Sequence, residues 1–544
     1  MNRSPPISEI DCDVLVAGSG SAGLTAALAA AAQGARVIIA EKTAWVGGTT
    51  ALSGAAIWVP ANHVAAAAGI ADSPAQALAY IRAAAPPGWA ATEAPLWARM
   101  AESAGPMLRF VEAHTPLTFQ LTPQGDPLSD LPGACAMGRM LSLLALPSQL
   151  AGPFRHRLRP TLFPHFYTFQ EALAVDLYHH PLRAALRYAP RLLHRVLAGR
   201  RGKGTALVTG LLRGCLDQGC RLLLETPLER LVVEDGRVIG AEVRQQGRLT
   251  TIRARHGVIL ASGGFEWDEA RRRQHFPGPH GLPASPRANS GDAHRMAEAA
   301  GAALDHMDQA NVAPVVPTRY EGQPHGLSIY FHQEPNAILV DSGGRRFVDE
   351  QCFNLGEVLN RFDPASGASE HLPAWMITDA RIWRRAPVLR FYARRHGRDW
   401  LRQAPTLAAL AVAIGLPPAT LEATVARYNA ASASGQDTEF GRAAQGPVGM
   451  APIERAPFVA LPFHRAFMST KGGPRTDAMG RVLRPDGRIL PGLFCAGVAM
   501  ANPIGTRAVG AGTTIGPNML WGYVCGLTAS GHDWPDSEAA DANR

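Results

Sequence analysis

Residues 13–42, DVLVAGSGSAGLTAALAAAAQGARVIIAEK, read as one strand–helix–strand unit. Val14–Ala17 is a short apolar strand and Gly18-Ser19-Gly20-Ser21-Ala22-Gly23 makes the turn. An alanine-rich helix then runs to Gly34, and Arg36–Ala40 gives a second apolar strand ending at Glu41. At this spacing Gly18 permits the tight turn, Gly20 lets the backbone approach a pyrophosphate, and Gly23 lets the helix pack closely on the strand. Ser21 and Ala22 open the helix, whose free amides suit an anion. Glu41 stands where a carboxylate accepts hydrogen bonds from ribose hydroxyls, with Lys42 beside it. The unit predicts a dinucleotide site on a parallel sheet.

The continuation, EKTAWVGGTTALSGAAIWVPAN (residues 41–62), separates the possible nucleotides. A nicotinamide domain usually adds another ordinary helix–strand repeat after the acid. Here Gly47-Gly48-Thr49-Thr50 and Ser53-Gly54 form a second small-residue loop, which can lie against pyrophosphate and isoalloxazine together. That favours FAD. Farther along, HGVILASGGFEWD (256–268) supplies a buried strand, Val258–Ala261, ahead of Ser262-Gly263-Gly264. Asn289–Leu304 opens a helix with Asp292 placed as its N-cap.

A matching piece returns near the C-terminus. LPGLFCAG (490–497) is a strand entering Gly497, and NPIGTRAVGAGTTIGPNML (502–520) packs six Gly or Pro residues around one charge, Arg507. Pro517 sits near the start of the helix that follows. Gly512, Thr514 and Ile515 thus lie where helix amides stabilise negative charge on a reduced flavin.

These stretches resemble the flavoprotein family that contains 3-ketosteroid Δ1-dehydrogenases and soluble fumarate reductases. Those proteins show a similar GG-[ST]-T-x-x-SG-x-x-x-W-x-P-x-N run after the acid. PGACAMGR (Pro132–Arg139) resembles a further element of the steroid branch. PNAILVDSGGRRFVDEQCF (Pro335–Phe353) reads as strand, Gly-Gly turn and strand, and resembles the family's V-N-x-x-G-x-R-F-x-N-E segment, with Asp349 where Asn is usual. The resemblance implies an α/β fold: a Rossmann-type FAD-binding domain interrupted by an α+β substrate-binding cap. The expected boundaries are 1–275 and 453–535 for the FAD-binding parts, 276–452 for the cap and 536–544 for a tail.

The family moves a hydride between flavin N5 and the β-carbon of a carbonyl or carboxyl compound. One group must polarise the carbonyl and another must carry the α-proton. In the steroid branch a tyrosine hydroxyl and a glycine amide hold the ketone. Here the glycine aligns with Gly512, but the tyrosine aligns with Ala508. Two further family tyrosines fall near Phe353 and Pro127. Arg507 lies one position from the arginine with which fumarate reductases clamp a carboxylate, while their second arginine maps near Phe353. Their paired histidines map onto Met468 and Ser469. The chain therefore matches neither catalytic set. Arg507, Gly512, His332 and Tyr330 are the candidate catalytic groups, and His464, Arg465 and Lys471 precede the return crossing.

The leading expectation is dehydrogenation, or the reverse reduction, next to the carbonyl of a small hydrophobic substrate such as a 3-ketosteroid. The runner-up is a carboxylated substrate held by Arg507. A reading of another class is a flavin-binding protein without catalysis. The electron acceptor is specified by no motif.

At 544 residues, 47% hydrophobic and 18% charged, the chain is a globular protein of more than one domain. Its +8 charge is spread without a long basic run, which argues against nucleic acid. Seven scattered cysteines and an N-terminus without an apolar leader predict a cytoplasmic setting. The His179-His180 pair has no companion cluster, so no metal is expected. Residues 150–203 stand apart as a basic insertion. Arg183, Arg187, Arg191 and Arg195 recur every fourth residue opposite Leu186, Leu193 and Leu197, with Pro190 expected to break the helix. A basic face with an apolar back suits the inner surface of a membrane; the alternative is a solvated face packed on the core.

Overall fold

The computed structural model describes residues 9–363, 365–396, 400–443, 445 and 449–532; the expected 536–544 tail lies outside these. The opening unit forms as β1 (Glu9–Ala17), α1 (Ser21–Ala32) and β2 (Val37–Ala40). β1 and β2 run parallel with Val14 opposite Val37. Their apolar stretches are buried throughout, as a sheet covered on both faces requires. Four more strands extend the sheet in one line through β1 and β2. The order is Arg481–Leu483, Ile489–Cys495, Arg248–Leu260, β1, β2, Arg221–Leu223. The expected hairpin around Glu234-Asp235-Gly236 pairs Arg237 with Glu234 and hangs from the edge of Arg248–Leu260.

The C-terminal strand, Ile489–Cys495, is thus inside the sheet, parallel to Arg248–Leu260 with Leu493 opposite Val258. Behind it the C-terminal helix, Ile515–Ala529, lies on α1. A Cβ on Gly522 would stand 2.3 Å from the Ala22 carbonyl oxygen, and one on Gly526 would stand 2.3 Å from that of Ala26. Glycine sets how closely the two helices approach.

The cap is built on a four-stranded antiparallel sheet ordered Ala337–Val340, Ala374–Asp379, Phe458–Phe463, Arg402–Ala404, with an apolar cluster on each side. The second strand expected within Pro335–Phe353 does not form. Only Val340 bridges Arg346, because the Arg346 guanidinium turns inward onto Glu350 and Asp437, each pair at 2.8 Å. Both expected cap boundaries also move. Phe458–Phe463 belongs to the cap sheet, and Asp292–Ala299 lies on the flavin side. The crossovers fall at Leu304–Asp305, which pairs with Gly473–Pro474, rather than at 275 and 452. An apolar run such as FVALPF fits either sheet, so sequence pattern alone does not assign it.

The basic insertion forms three helices, Phe169–Val175, Pro181–Arg187 and Ala189–Leu197. The break falls at Tyr188, with Pro190 in the first turn of the last helix, as expected. Thr168 and Glu171 form a capping box on the first helix. Val175, Ala184 and Tyr188 turn inward as a small core. His179 ties the insertion to the cap by bridging Asp176 at 2.6 Å and Glu334 at 2.7 Å. Leu186, Leu193 and Leu197 do not pack on a core; they face solvent. Among the described residues no helix is long and apolar enough to cross a membrane.

Candidate active site

A cleft opens where the glycine turn after β1, the end of β2, the second small-residue loop and the start of the C-terminal helix converge. Of the expected cofactor residues, Gly18, Gly20, Ser21, Ala22, Glu41, Lys42, Gly48, Thr49, Thr50, Ala261, Gly263, Asp292 and Gly497 line it. Gly18 holds φ +104°, which only glycine takes without strain, and a Cβ there would strike the Ala261 carbonyl at 2.5 Å. A Cβ on Gly23 would sit 2.0 Å from the Gly18 oxygen, so its role is helix–strand packing and not ligand contact. Gly20 and Gly48 lie side by side: a Cβ on Gly48 would stand 3.8 Å from the Gly20 Cα. The amides of Gly20, Ala22, Gly48 and Thr49 have no acceptor among the described residues. Such unpaired donors at a helix start form an anion cradle.

Glu41 is buried at the end of β2. Its Oε2 accepts from the Ser19 amide and hydroxyl at 3.1 and 2.6 Å, and its Oε1 accepts from the Thr43 amide and hydroxyl, both at 2.9 Å. The carboxylate is thereby fixed on the cleft wall. Asp292 is the first helical residue rather than the N-cap, a place taken by Gly291. Its carboxylate pairs with Lys42 at 2.8 Å and with Arg295, joining the two sides of the cleft mouth. The sequence pattern did not single out Arg159, Asn289 or Asn518, which also line the cleft. Asn289 donates to Thr49 Oγ1 at 2.9 Å, and Arg159 donates to Thr43 Oγ1 at 2.9 Å. Asn518 Oδ1 and Ser262 Oγ are buried without a partner. Orphaned polar atoms, free amides and an anchored carboxylate fit a dinucleotide such as FAD.

The expected residues outside this cleft have other roles. Ser53 turns back onto the Thr50 carbonyl at 2.8 Å, and Gly54 makes room for the Phe169 ring. The C-terminal loop packs on residues 56–58: a Cβ on Gly512 would stand 2.6 Å from the Ala56 oxygen, and one on Gly516 would stand 2.3 Å from the Trp58 oxygen. Its glycines therefore serve backbone-to-backbone approach between the two segments. Gly512 holds φ +87°, and its carbonyl accepts from Gly516 at 3.0 Å and Trp58 at 3.3 Å. Its own amide, like those of Thr514 and Ile515, has no acceptor among the described residues. Asn311 donates to Thr514 Oγ1 at 3.4 Å, bringing the cap to this helix start.

Arg507 is not a free cation. Its Nε donates to both oxygens of Glu357 in the cap at 2.9 Å, and Nη1 donates to the Ala84 carbonyl at 3.1 Å. Next to it, Asn354 exchanges two hydrogen bonds with the Ala508 backbone, at 2.8 and 3.2 Å. Lys471, buried, donates to the Gly505 carbonyl at 2.6 Å, and burial pushes its pKa down to about 8. The loop is thus clasped from the cap side. Arg465 is buried against the Pro277 carbonyl, far in role from a substrate cation.

His332 is also corrected. It is fully buried against Phe463 in the cap, burial drives its pKa down to about 3, and Nδ1 has no partner. A neutral, sealed imidazole has no route for a proton. Tyr330 differs from it: its surface is 57% exposed, yet surrounding protein raises its phenol pKa by desolvation. The phenol is therefore neutral at physiological pH. Its hydroxyl has no hydrogen-bond partner among the described residues.

Residues 13–515 match the family described as FAD binding domain. The chain is 35% identical to 4-oxocyclohexanecarboxylate 2-dehydrogenase of Sinomonas cyclohexanicum, covering 95% of this chain and 93% of that one. It is 32% identical to 3-oxosteroid 1-dehydrogenase of Mycolicibacterium smegmatis, covering 95% and 96%. Among solved structures it resembles 3-ketosteroid Δ1-dehydrogenase of Sterolibacterium denitrificans in complex with 1,4-androstadiene-3,17-dione. That match has TM-score 0.86 at 28% identity and covers 96% of this chain and 100% of that one. The chain belongs to the FAD binding domain family, in the company of dehydrogenases that act on CH–CH bonds.

Proposed function

We propose that this protein binds FAD in the cleft and dehydrogenates the bond α,β to the carbonyl of an uncharged cyclic ketone of the 3-ketosteroid type. FAD held by Gly20, Ala22, Glu41, Thr49 and Asn518 would supply the acceptor for the hydride that leaves the β-carbon. The Gly512 amide, which has no acceptor among the described residues, would polarise the ketone oxygen as negative charge develops. Tyr330, exposed on the cap, would relay the α-proton, its oxygen accepting that proton as its own hydroxyl proton passes to water. Unpaired cysteines throughout fit a reducing, cytoplasmic setting.

The observation that carries the choice of an uncharged substrate is the Arg507–Glu357 pair, in which one Nε–H is shared by both carboxylate oxygens. A substrate carboxylate would meet a cation already neutralised by the chain's own carboxylate. The second reading, a carboxylated ring ketone, draws its support from the similarity to 4-oxocyclohexanecarboxylate 2-dehydrogenase. Turnover with an artificial electron acceptor on both substrate types decides between them. A higher kcat/KM on the 3-ketosteroid supports the first reading; a higher kcat/KM on the carboxylate, lost in Arg507→Ala, supports the second.

A further inference from the structure

We propose that the helix pair Pro181–Arg187 and Ala189–Leu197 docks this protein onto an anionic lipid surface, with its leucines in the acyl layer and its arginines among the headgroups. Leu182, Leu186 and Leu197 are 80%, 78% and 79% exposed, and Leu193 and Val196 are also open to solvent. Leu182 and Leu186 are one turn apart, as are Leu193 and Leu197, so each helix shows an unbroken aliphatic ridge. The opposite side is already satisfied, with Ala184 and Tyr188 buried against Val175. Burying these leucines is not the work of this chain's own core.

Charge selects the occupant. Between Asp176 and Asp217 the sequence holds no acidic residue. Arg183, Arg187 and Arg191 remain exposed beside the leucines, Arg191 only loosely paired with Glu171 at 3.8 Å, while Arg195 leaves the expected stripe to pair with Glu171 at 2.6 Å. A second copy meeting the same face about a two-fold axis would set three arginines against three arginines. An anionic bilayer offers both hydrocarbon and complementary charge. The His179 bridge to Glu334 ties the insertion that carries the pair to the cap.

The test reads binding and not turnover, so it is independent of the substrate assignment. FAD-loaded full-length protein is floated with vesicles of phosphatidylglycerol and phosphatidylcholine at low salt. The expected result is co-flotation, weakened about fivefold by each of Arg183→Gln, Arg187→Gln and Arg191→Gln. A Leu182→Ser/Leu186→Ser/Leu193→Ser/Leu197→Ser variant should lose flotation by at least about a hundredfold in partitioning while keeping its flavin and its melting temperature. The proposal is overturned if the wild type stays in the unbound fraction, or if the leucine variant floats as well as the wild type. It is equally overturned if those leucines instead hold a dimer in sedimentation and no vesicle is bound.

Discussion

Replacing Gly522 by valine tests how tightly the two distant flavin segments are pressed together. The valine Cβ would begin 2.3 Å from the Ala22 carbonyl oxygen, against about 3.3 Å for the near end of ordinary C–H···O contact. The C-terminal helix must therefore withdraw from α1 by about 1 Å, or the core must distort, at a cost of about 3 kcal/mol for overpacking. Valine recovers only a few tenths of a kcal/mol in helix propensity over glycine. α1 and the C-terminal helix both line the cleft, through Ser21, Ala22 and Asn518, so withdrawing one from the other would also weaken the hold on FAD. Its affinity should drop about tenfold to a hundredfold. Gly522→Ala places the same Cβ 2.3 Å from that oxygen, but should lie between, because it lacks the γ-methyls and gains about 1 kcal/mol of propensity. The assay is FAD titration of apo protein by flavin fluorescence quenching, with urea unfolding alongside. Wild-type affinity together with an unchanged unfolding midpoint in Gly522→Val would refute the reasoning.

Other predictions concern the cap. Arg507→Ala and Glu357→Gln each remove one side of a half-exposed clasp, and each should lower kcat/KM by about threefold to tenfold, with the double variant no worse than either; steady-state kinetics checks this. A loss of two decades or more in Arg507→Ala alone would instead mark substrate contact. His179, raised to about 8 chiefly by its hydrogen bond to Glu334, is stabilising in its charged form. Its contribution is fully present below its ordinary value of 6.5 and is lost as pH rises through about 8. After allowance for solvent screening it is worth about 1 kcal/mol. Melting temperature should therefore fall from about pH 6 to about pH 9 more steeply in wild type than in His179→Gln. Tyr330→Phe should cut kcat by about two to four decades while FAD affinity is kept; an unchanged kcat would remove the phenol from the chemistry.

The nucleotide half of this molecule was legible because its signals are local. Gly18, Gly20 and Gly23 act within six residues, between two apolar strands whose burial their own sequence announces. The apolar runs before Gly263 and Gly497 announced two strands, but only the structure sets Val258 opposite Leu493. The cap was less legible because its assignments depend on distant partners. Phe458–Phe463 is a buried run whose sheet is chosen by Ala374–Asp379, and Arg346 leaves the expected strand because Glu350 and Asp437 wait inside. Arg507 looked like a substrate clamp until Glu357, far off in sequence, proved to hold it. His332 carried no mark of its burial, and the insertion's leucines carried none of their exposure. Arg159 entered the cleft from a segment that reads only as basic.

The most direct measurement is a single anaerobic turnover. FAD-loaded protein is mixed with an excess of a 3-ketosteroid, and the visible flavin band is followed while the steroid is analysed. Bleaching of the band in step with appearance of the α,β-unsaturated ketone is the predicted result. A flavin that dithionite reduces but no cyclic ketone bleaches would contradict it.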